Sequence, residues 1–168
     1  TSLRRDVKTD GRHAEVTFTK DWKEDSMRRD FTINSIYADI DGNIFDPNNG
    51  VEDLQNGTVR FIGNSYERIQ EDYLRILRYI RFFLLYSKKD HSSEIKKTIK
   101  QNISGVANLS KERLLDELNK IFKSRALFKL VKDKFSYEII LIIFPQLINL
   151  KILKKLEKKK EQILINKS

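Results

Sequence analysis

From Ile69 to Leu84 the apolar residues Ile69, Tyr73, Ile76, Leu77, Ile80, Phe83 and Leu84 return at steps of three, four and seven. That spacing gathers them into one stripe of a helix, and such a stripe needs a partner surface. A chain containing it must therefore build a packed helical core around this segment. The pattern predicts one long helix from a Ser65 cap to about Tyr86. Glu71, Asp72, Arg75 and Arg78 fall on another face of that helix.

Before residue 64 the pattern is different. Glu15–Thr19 alternates, with Val16 and Phe18 on one side, as in a half-buried strand. Asp21 followed by Glu24 marks a helix start running to about Arg29. Ser35–Ile40 and Asn43–Phe45 flank Asp41-Gly42, a type I′ hairpin signal. Pro47-Asn48-Asn49-Gly50 reads as a turn, and Thr58–Ile62 as a short strand closed by Gly63. After the long helix, further helices are expected at 92–103, 110–122 with a Ser110 cap, 124–132, 136–143 and 146–162. The expectation is an α+β chain: residues 1–63 with short antiparallel strands, a helical 64–125, and a helical 126–168.

The 168 residues include 33 Lys and Arg against 24 Asp and Glu, a net charge of +9. Such a balance favours an anionic partner, nucleic acid first. The lysine block Lys151–Lys160 reads first as a solvated helix face or frayed tail and only second as an RNA contact. No cysteine is present, which excludes disulfides and thiolate metal sites. His13 and His91 stand too far apart in sequence for metal-ligand spacing. The apolar run Ile139–Phe144 is too short to span a bilayer. A cytoplasmic protein with no membrane partner is expected.

The charged face of the long helix has two readings. As a surface ladder of ion pairs it would add only about 0.3–0.5 kcal/mol per pair. As a reader of bases it is more specific. A carboxylate only accepts hydrogen bonds and a guanidinium only donates them. Side by side, Asp72 and Arg75 match an amino group next to an unprotonated ring nitrogen, the edge that cytosine and adenine share. Uracil and guanine present a carbonyl and a protonated nitrogen there, and mismatched polar groups would stay unpaired. Arg78 and Arg81 continue the row and suit phosphates.

The run Glu71-Asp72-Tyr73-Leu74-Arg75 through Phe82 resembles the base-selecting motif of the class II tRNA nucleotidyltransferases, which comprise CCA-adding enzymes and bacterial poly(A) polymerases. Arg28-Arg29-Asp30-Phe31-Thr32-Ile33-Asn34 resembles their nucleotide- and ribose-binding motif. Phe45-Asp46 through Gly50-Val51-Glu52-Asp53-Leu54 resembles the segment joining head to neck, and Leu109-Ser110-Lys111-Glu112-Arg113 through Glu117-Leu118 their neck motif. The four occur in order and cover roughly residues 1–125. The resemblance implies a partial nucleotidyltransferase head followed by a helical neck and a partial body. It implies that Arg29, Asp30 and Asn34 contact the nucleotide, with Asp30 near the ribose 2′-OH. Asp72 and Arg75 would read the base, Glu71 would orient Arg75, and Arg78 and Arg81 would lie along the triphosphate side. Arg113 would couple neck to head. CTP, ATP and tRNA are the implied partners, and Mg²⁺ the implied cofactor.

The same resemblance exposes a gap. The family's metal-binding Gly-Gly loop and Asp-x-Asp pair precede the Arg-Arg-Asp motif, and neither is found there in this chain, which opens at Thr1. Asp39-x-Asp41 follows that motif and reads as turn chemistry. Asp6 stands where the resemblance allows an accessory catalytic carboxylate. The expectation is a chain that is inactive alone and needs an N-terminal catalytic part, with a separate polypeptide as one source. Asp10-Gly11-Arg12-His13 resembles the family's flexible loop, and Lys8–Val16 resembles the CCA-adding version of it. A poly(A) polymerase piece and a non-catalytic nucleotide- or RNA-binding module are the alternatives.

Overall fold

A computed structural model describes the backbone of residues 4–9, 14–18 and 21–150 and the side chains of residues 21–147. Strand β1 (Arg4–Thr9) pairs antiparallel with β2 (Ala14–Phe18), Arg4 opposite Phe18, with a bulge between Asp6 and Lys8. The Asp6 side chain, the loop 10–13 and the lysine block 151–160 lie outside the described residues.

Helix α1 (Trp22–Met27) starts where Asp21 accepts hydrogen bonds from the Lys23 amide (2.7 Å) and the Glu24 amide (3.4 Å). The chain then bends through Arg28–Asp30. Phe31 pairs with Phe61 in a single antiparallel bridge, flanked by Thr32 N–H to the Arg60 carbonyl and Ile62 N–H to the Asp30 carbonyl, each 3.0 Å. The strand expected over Thr58–Ile62 shrinks to this one bridge. Its start is diverted, because the Thr58 amide donates to the Asp53 carbonyl at 2.7 Å.

Strands β3 (Tyr37–Ala38) and β4 (Ile44–Phe45) form a second antiparallel pair. The turn between them is not type I′. Gly42 alone has positive φ, at 85°, whereas a type I′ turn needs it at both central residues. The Asp39 carboxylate replaces that geometry by accepting from the Asp41 amide (3.0 Å), the Asn43 amide (2.8 Å) and Asn43 Nδ2 (2.8 Å). Those bonds hold its carboxyl below the ordinary range.

The turn expected at Pro47–Gly50 leads into a helix the sequence reading missed, α2 (Gly50–Gln55). Asp46 nucleates it by accepting from the Gly50 amide (2.7 Å) and the Val51 amide (2.9 Å). A Cβ on Gly50 would sit 2.2 Å from the Thr32 carbonyl oxygen, so only glycine lets α2 approach this closely. Asp53 then accepts from Thr32 Oγ1 (2.6 Å) and Arg60 Nε (3.0 Å), which fastens α2 to both arms of the bridge.

The single long helix is in fact two, α3 (Ser65–Glu71) and α4 (Arg75–Tyr86), broken at Asp72, whose backbone is extended (φ −154°, ψ 106°). Asn64, not Ser65, caps α3, accepting from the Tyr66 and Glu67 amides at 2.9 and 3.2 Å. Short polar side chains compete with helical bonds for backbone amides. Asp72 does so here, its Oδ1 accepting from the Leu74 amide at 3.1 Å while Arg75 N–H turns to the Asp72 carbonyl at 3.0 Å. The apolar stripe survives the break: Ile69, Ile76, Leu77, Ile80 and Leu84 are all buried. Against it pack α5 (Ser93–Asn102), α6 (Lys111–Phe122, capped by Ser110), α7 (Ala126–Leu130) and α8 (Lys134–Ile143), with 3₁₀ turns at Ile103–Asn108 and Pro145–Leu150. These match the expected helices to within a few residues, except that most of 146–162 lies outside the described part. No described helix is long and apolar enough to cross a membrane.

His91 is buried inside this core. Its Nδ1 meets Tyr79 OH at 3.0 Å, and its Nε2 meets Asp133 Oδ1 at 3.0 Å and Ser136 Oγ at 3.2 Å. Phe83 stacks on the ring at 3.5 Å. Burial pushes the Asp133 carboxyl up, but hydrogen bonds from His91 and Ser136 outweigh it and hold the group down at about 2.

Two outcomes are expected. Gly50→Ala should lower the unfolding free energy by about 2–3 kcal/mol, read from urea midpoints, because the new methyl meets backbone. A carboxylate with lowered pKa stabilises the fold above its ordinary value, 3.8, and that contribution fades as pH falls through about 2. His91→Gln should therefore move the acid-unfolding midpoint, followed by circular dichroism, to higher pH.

Candidate functional site

Asp30 ends the bend after α1 and is 7% exposed. A carboxylate that far from water needs compensating charge, and two arginines of α4 supply it. Arg75 Nε donates at 2.8 Å to one oxygen, and Arg78 Nε donates to the other. Arg75 Nη1 also donates to Glu71 Oε2 and to the Arg68 carbonyl, both at 2.6 Å. Arg75 Nη2 has no hydrogen-bond partner among the described residues. Arg68 reaches back through Nη2 to the carbonyls of Arg29 (2.8 Å) and Arg28 (3.3 Å) and pairs through Nη1 with Glu71. The bend at 28–30 is thus fastened to the α3–α4 junction.

Asp72 stands at that junction. One oxygen caps the break and the other accepts from Arg113 Nη2 of α6 at 2.7 Å. Arg81, two turns along α4, donates through Nε to Glu117. Glu117 is fully buried, and Lys120 Nζ lies 3.1 Å from its second oxygen. The Arg81 guanidinium also lies 4.6 Å from the Phe82 ring centre.

The ladder expected on one helix face is absent in that form. The break removes Asp72 from the helix, so Asp72 and Arg75 are not neighbours on one turn of α-helix. Arg75 and Arg78 share the remote Asp30. Arg113 joins α6 to the α3–α4 break, while residues 21–63 reach α4 through Asp30 and through the Phe31 and Phe61 rings against Tyr79 and Phe82. Asn34 turns inward on its own segment, its Oδ1 accepting from the Phe31 amide at 3.2 Å.

Arg29 belongs to a second cluster. Its Nε and Nη2 donate to Asp25 Oδ2 at 3.1 and 2.9 Å, and Tyr37 OH donates to the same oxygen at 2.8 Å. Arg28 Nε donates to Asp25 Oδ1 at 2.8 Å. Burial and the bond to Asp25 push the Tyr37 hydroxyl up to about 12.

Sequence reasoning missed Asp25, Arg68 and Glu117. Glu117 left a signal, an acidic residue inside the apolar stripe Leu114, Leu118 and Ile121 of α6. Asp25 and Arg68 left none, since both stand among exposed charges in the pattern. Among the described residues no three His, Cys, Asp or Glu side chains gather where they could hold a metal ion. A cavity of about 650 Å³ lies between Gly57–Ser65, Tyr79, Phe83 and the start of α5, and none of the residues of these two clusters lines it.

Residues 1–60 match the family model described as "Poly A polymerase head domain", and residues 92–151 match the model described as "Probable RNA and SrmB-binding site of polymerase A". The human mitochondrial CCA tRNA nucleotidyltransferase 1 is 54% identical over 123 residues, covering 72% of this chain and 28% of the human protein. The CCA-adding enzyme of Lactobacillus helveticus is 36% identical over 144 residues, covering 79% of this chain and 36% of that protein. The Bacillus stearothermophilus CCA-adding enzyme in complex with CTP superimposes with a TM-score of 0.61 at 34% identity, over 80% of this chain and 33% of that one. The Thermotoga maritima CCA-adding enzyme complexed with tRNA gives 0.58 at 27% identity, over 74% and 31%. The chain thus spans about a third of the length of the relatives it matches.

Removing the Asp30 charge would leave Arg75 and Arg78 facing a neutral amide in a largely buried site. Asp30→Asn is expected to cost about 3 kcal/mol of stability, measured by urea unfolding at neutral pH.

Proposed function

The chain belongs to the family of class II tRNA nucleotidyltransferases and bacterial poly(A) polymerases, and on that premise we propose that it selects CTP and ATP for addition of C, C and A to tRNA 3′ ends. One observation carries the reading. Asp72 and Arg75 stand at either end of the helix break, and each is held by partners from elsewhere. Arg113 braces the Asp72 carboxylate, while Asp30 and Glu71 brace Arg75 and leave its Nη2 to donate. An acceptor and a donor fixed in advance lose little freedom when a base arrives. Cytosine and adenine offer the complementary edge, and uracil and guanine do not.

In this reading Asp30 accepts a hydrogen bond from the ribose 2′-OH, Asn34 helps hold the sugar, and Arg29, Arg78 and Arg81 face the phosphates. Glu71 orients Arg75. Arg113 acts on the site by holding Asp72. The segment 92–151 faces tRNA, as a net charge of +9 favours. We place this work in the cytoplasm, although the human relative carries the word mitochondrial in its name.

Mg²⁺ does not fit the described residues. Asp39 is committed to its turn, and Asp30, Glu71 and Asp72 are each engaged by arginine. No phosphoryl-transfer step is therefore assigned to them. The carboxylates for that step would come from elsewhere, a separate polypeptide being one source, and this chain alone would be inactive.

Poly(A) addition is the neighbouring reading. The names of the relatives above and the Lys8–Val16 resemblance favour CCA addition. A non-catalytic binding module would share the base reader.

Calorimetric titration of the chain with the four ribonucleoside triphosphates tests the reading. CTP and ATP should bind at least tenfold more tightly than UTP and GTP, and Asp72→Ala with Arg75→Ala should erase the difference. Equal affinity for all four in the unaltered chain would refute it. Once the missing catalytic part is supplied, incorporation of CTP and then ATP separates CCA addition from ATP-only poly(A) synthesis, and no incorporation points to the binding module.

A further inference from the structure

Asp25 is the one carboxylate of α1 that is wholly buried, yet it lies outside the motifs that drew the reading above. Arg28, Arg29 and Tyr37 converge on it. Arg28 takes one oxygen through Nε at 2.8 Å. Arg29 forks onto the other through Nε (3.1 Å) and Nη2 (2.9 Å), and Tyr37 OH adds a third bond there at 2.8 Å. A carboxylate with no solvent contact exists only by virtue of such partners, so the cluster forms as a unit.

The geometry of the fork decides what Arg29 can still do. A guanidinium offers five N–H donors in a rigid plane. Asp25 occupies the Nε–Nη2 edge, and Nη1 has no partner among the described residues. The Arg29 side chain keeps 29% of its exposure. Its Cζ lies 6.0 Å from the centre of the Tyr37 ring, which limits sideways swing. Two residues on, the backbone enters the Phe31–Phe61 bridge, so the base of this arm is fixed as well.

Resting on the nucleotide-selecting reading, we propose that Asp25 is a positioning residue that holds the Arg29 guanidinium as a preset donor for the phosphates of the incoming nucleoside triphosphate. Arg28, on the opposite oxygen, balances the buried charge so that Asp25 can hold Arg29 without drawing it inward. Asp25 itself never touches the nucleotide.

The test compares the unaltered chain with Asp25→Asn and Arg29→Lys, titrating each with CTP and with cytidine. A ¹⁵N spectrum of the arginine Nε–H groups accompanies each titration. In the unaltered chain the Arg29 Nε–H signal should be resolved, and in Asp25→Asn it should collapse into the free-arginine envelope. Asp25→Asn should bind CTP about tenfold more weakly or worse, with its weaker binding of cytidine unchanged. A structural role alone would weaken both ligands together. Arg29→Lys keeps the charge without the fork and should lose CTP affinity to a similar degree, which serves also if Asp25→Asn fails to fold. Unchanged CTP affinity in either folded variant overturns the positioning role and leaves the nucleotide reading standing. Failure of the unaltered chain to bind CTP and ATP overturns both.

Discussion

Asp30 ties two stretches of chain, forty-five residues apart, through a shared pair of arginines. It lies at the bend after α1, while its partners Arg75 and Arg78 open α4. Neither side could be buried alone: the carboxylate would face the desolvation cost unaided, and the arginines would repel one another. Together they are mostly buried, Arg78 keeping 30% of its side-chain exposure, and the bend acquires a fixed place on the helical core. The Phe31 ring, fully buried between Phe61 (4.7 Å) and Phe82 (5.0 Å), supplies the apolar counterpart one residue later. The hydrophobic contact sets distance, and the ion pairs set orientation.

Much of the helical part was legible because packing dictates periodicity. Ile69 to Leu84 carries a stripe that only a helix can bury, and Ser110 announces α6 through its side chain. The break at Asp72 was not legible, because the stripe continues through it without a phase change large enough to notice. What decides it is local: Asp72 offers its carboxylate to the Leu74 amide, and Arg113 from forty-one residues away rewards the break. Helix α2 was hidden for a related reason. Pro47–Gly50 is a genuine turn signal, and nothing in the six residues after it has the length or periodicity that a pattern reading needs.

The site divides in the same way. The charge pattern and the family resemblance marked Arg29, Asp30, Asn34, Glu71, Asp72, Arg75, Arg78, Arg81 and Arg113 as candidates, but their partners were not legible. Arg75 to Asp30 spans forty-five residues and Arg81 to Glu117 thirty-six. Pairing over such distances depends on the tertiary fold, and charge patterns along the chain carry no trace of it. A helical wheel assigns Arg75 to Glu71 correctly, since that pair is four apart, and misassigns Asp72, which leaves the helix.

Thr32, two residues past Asp30, is pinned on three sides: its amide to Arg60, its hydroxyl to Asp53, and its carbonyl against the bare face of Gly50. Asp30 consequently stands on backbone that Arg60 and α2 hold in place, as on a post. In the nucleotide-selecting reading proposed above, Arg75 and Arg78 take their placement from that post, so a pyrimidine and a purine would meet the same donors. The frame is set by backbone, and the guanidinium groups are seated on it.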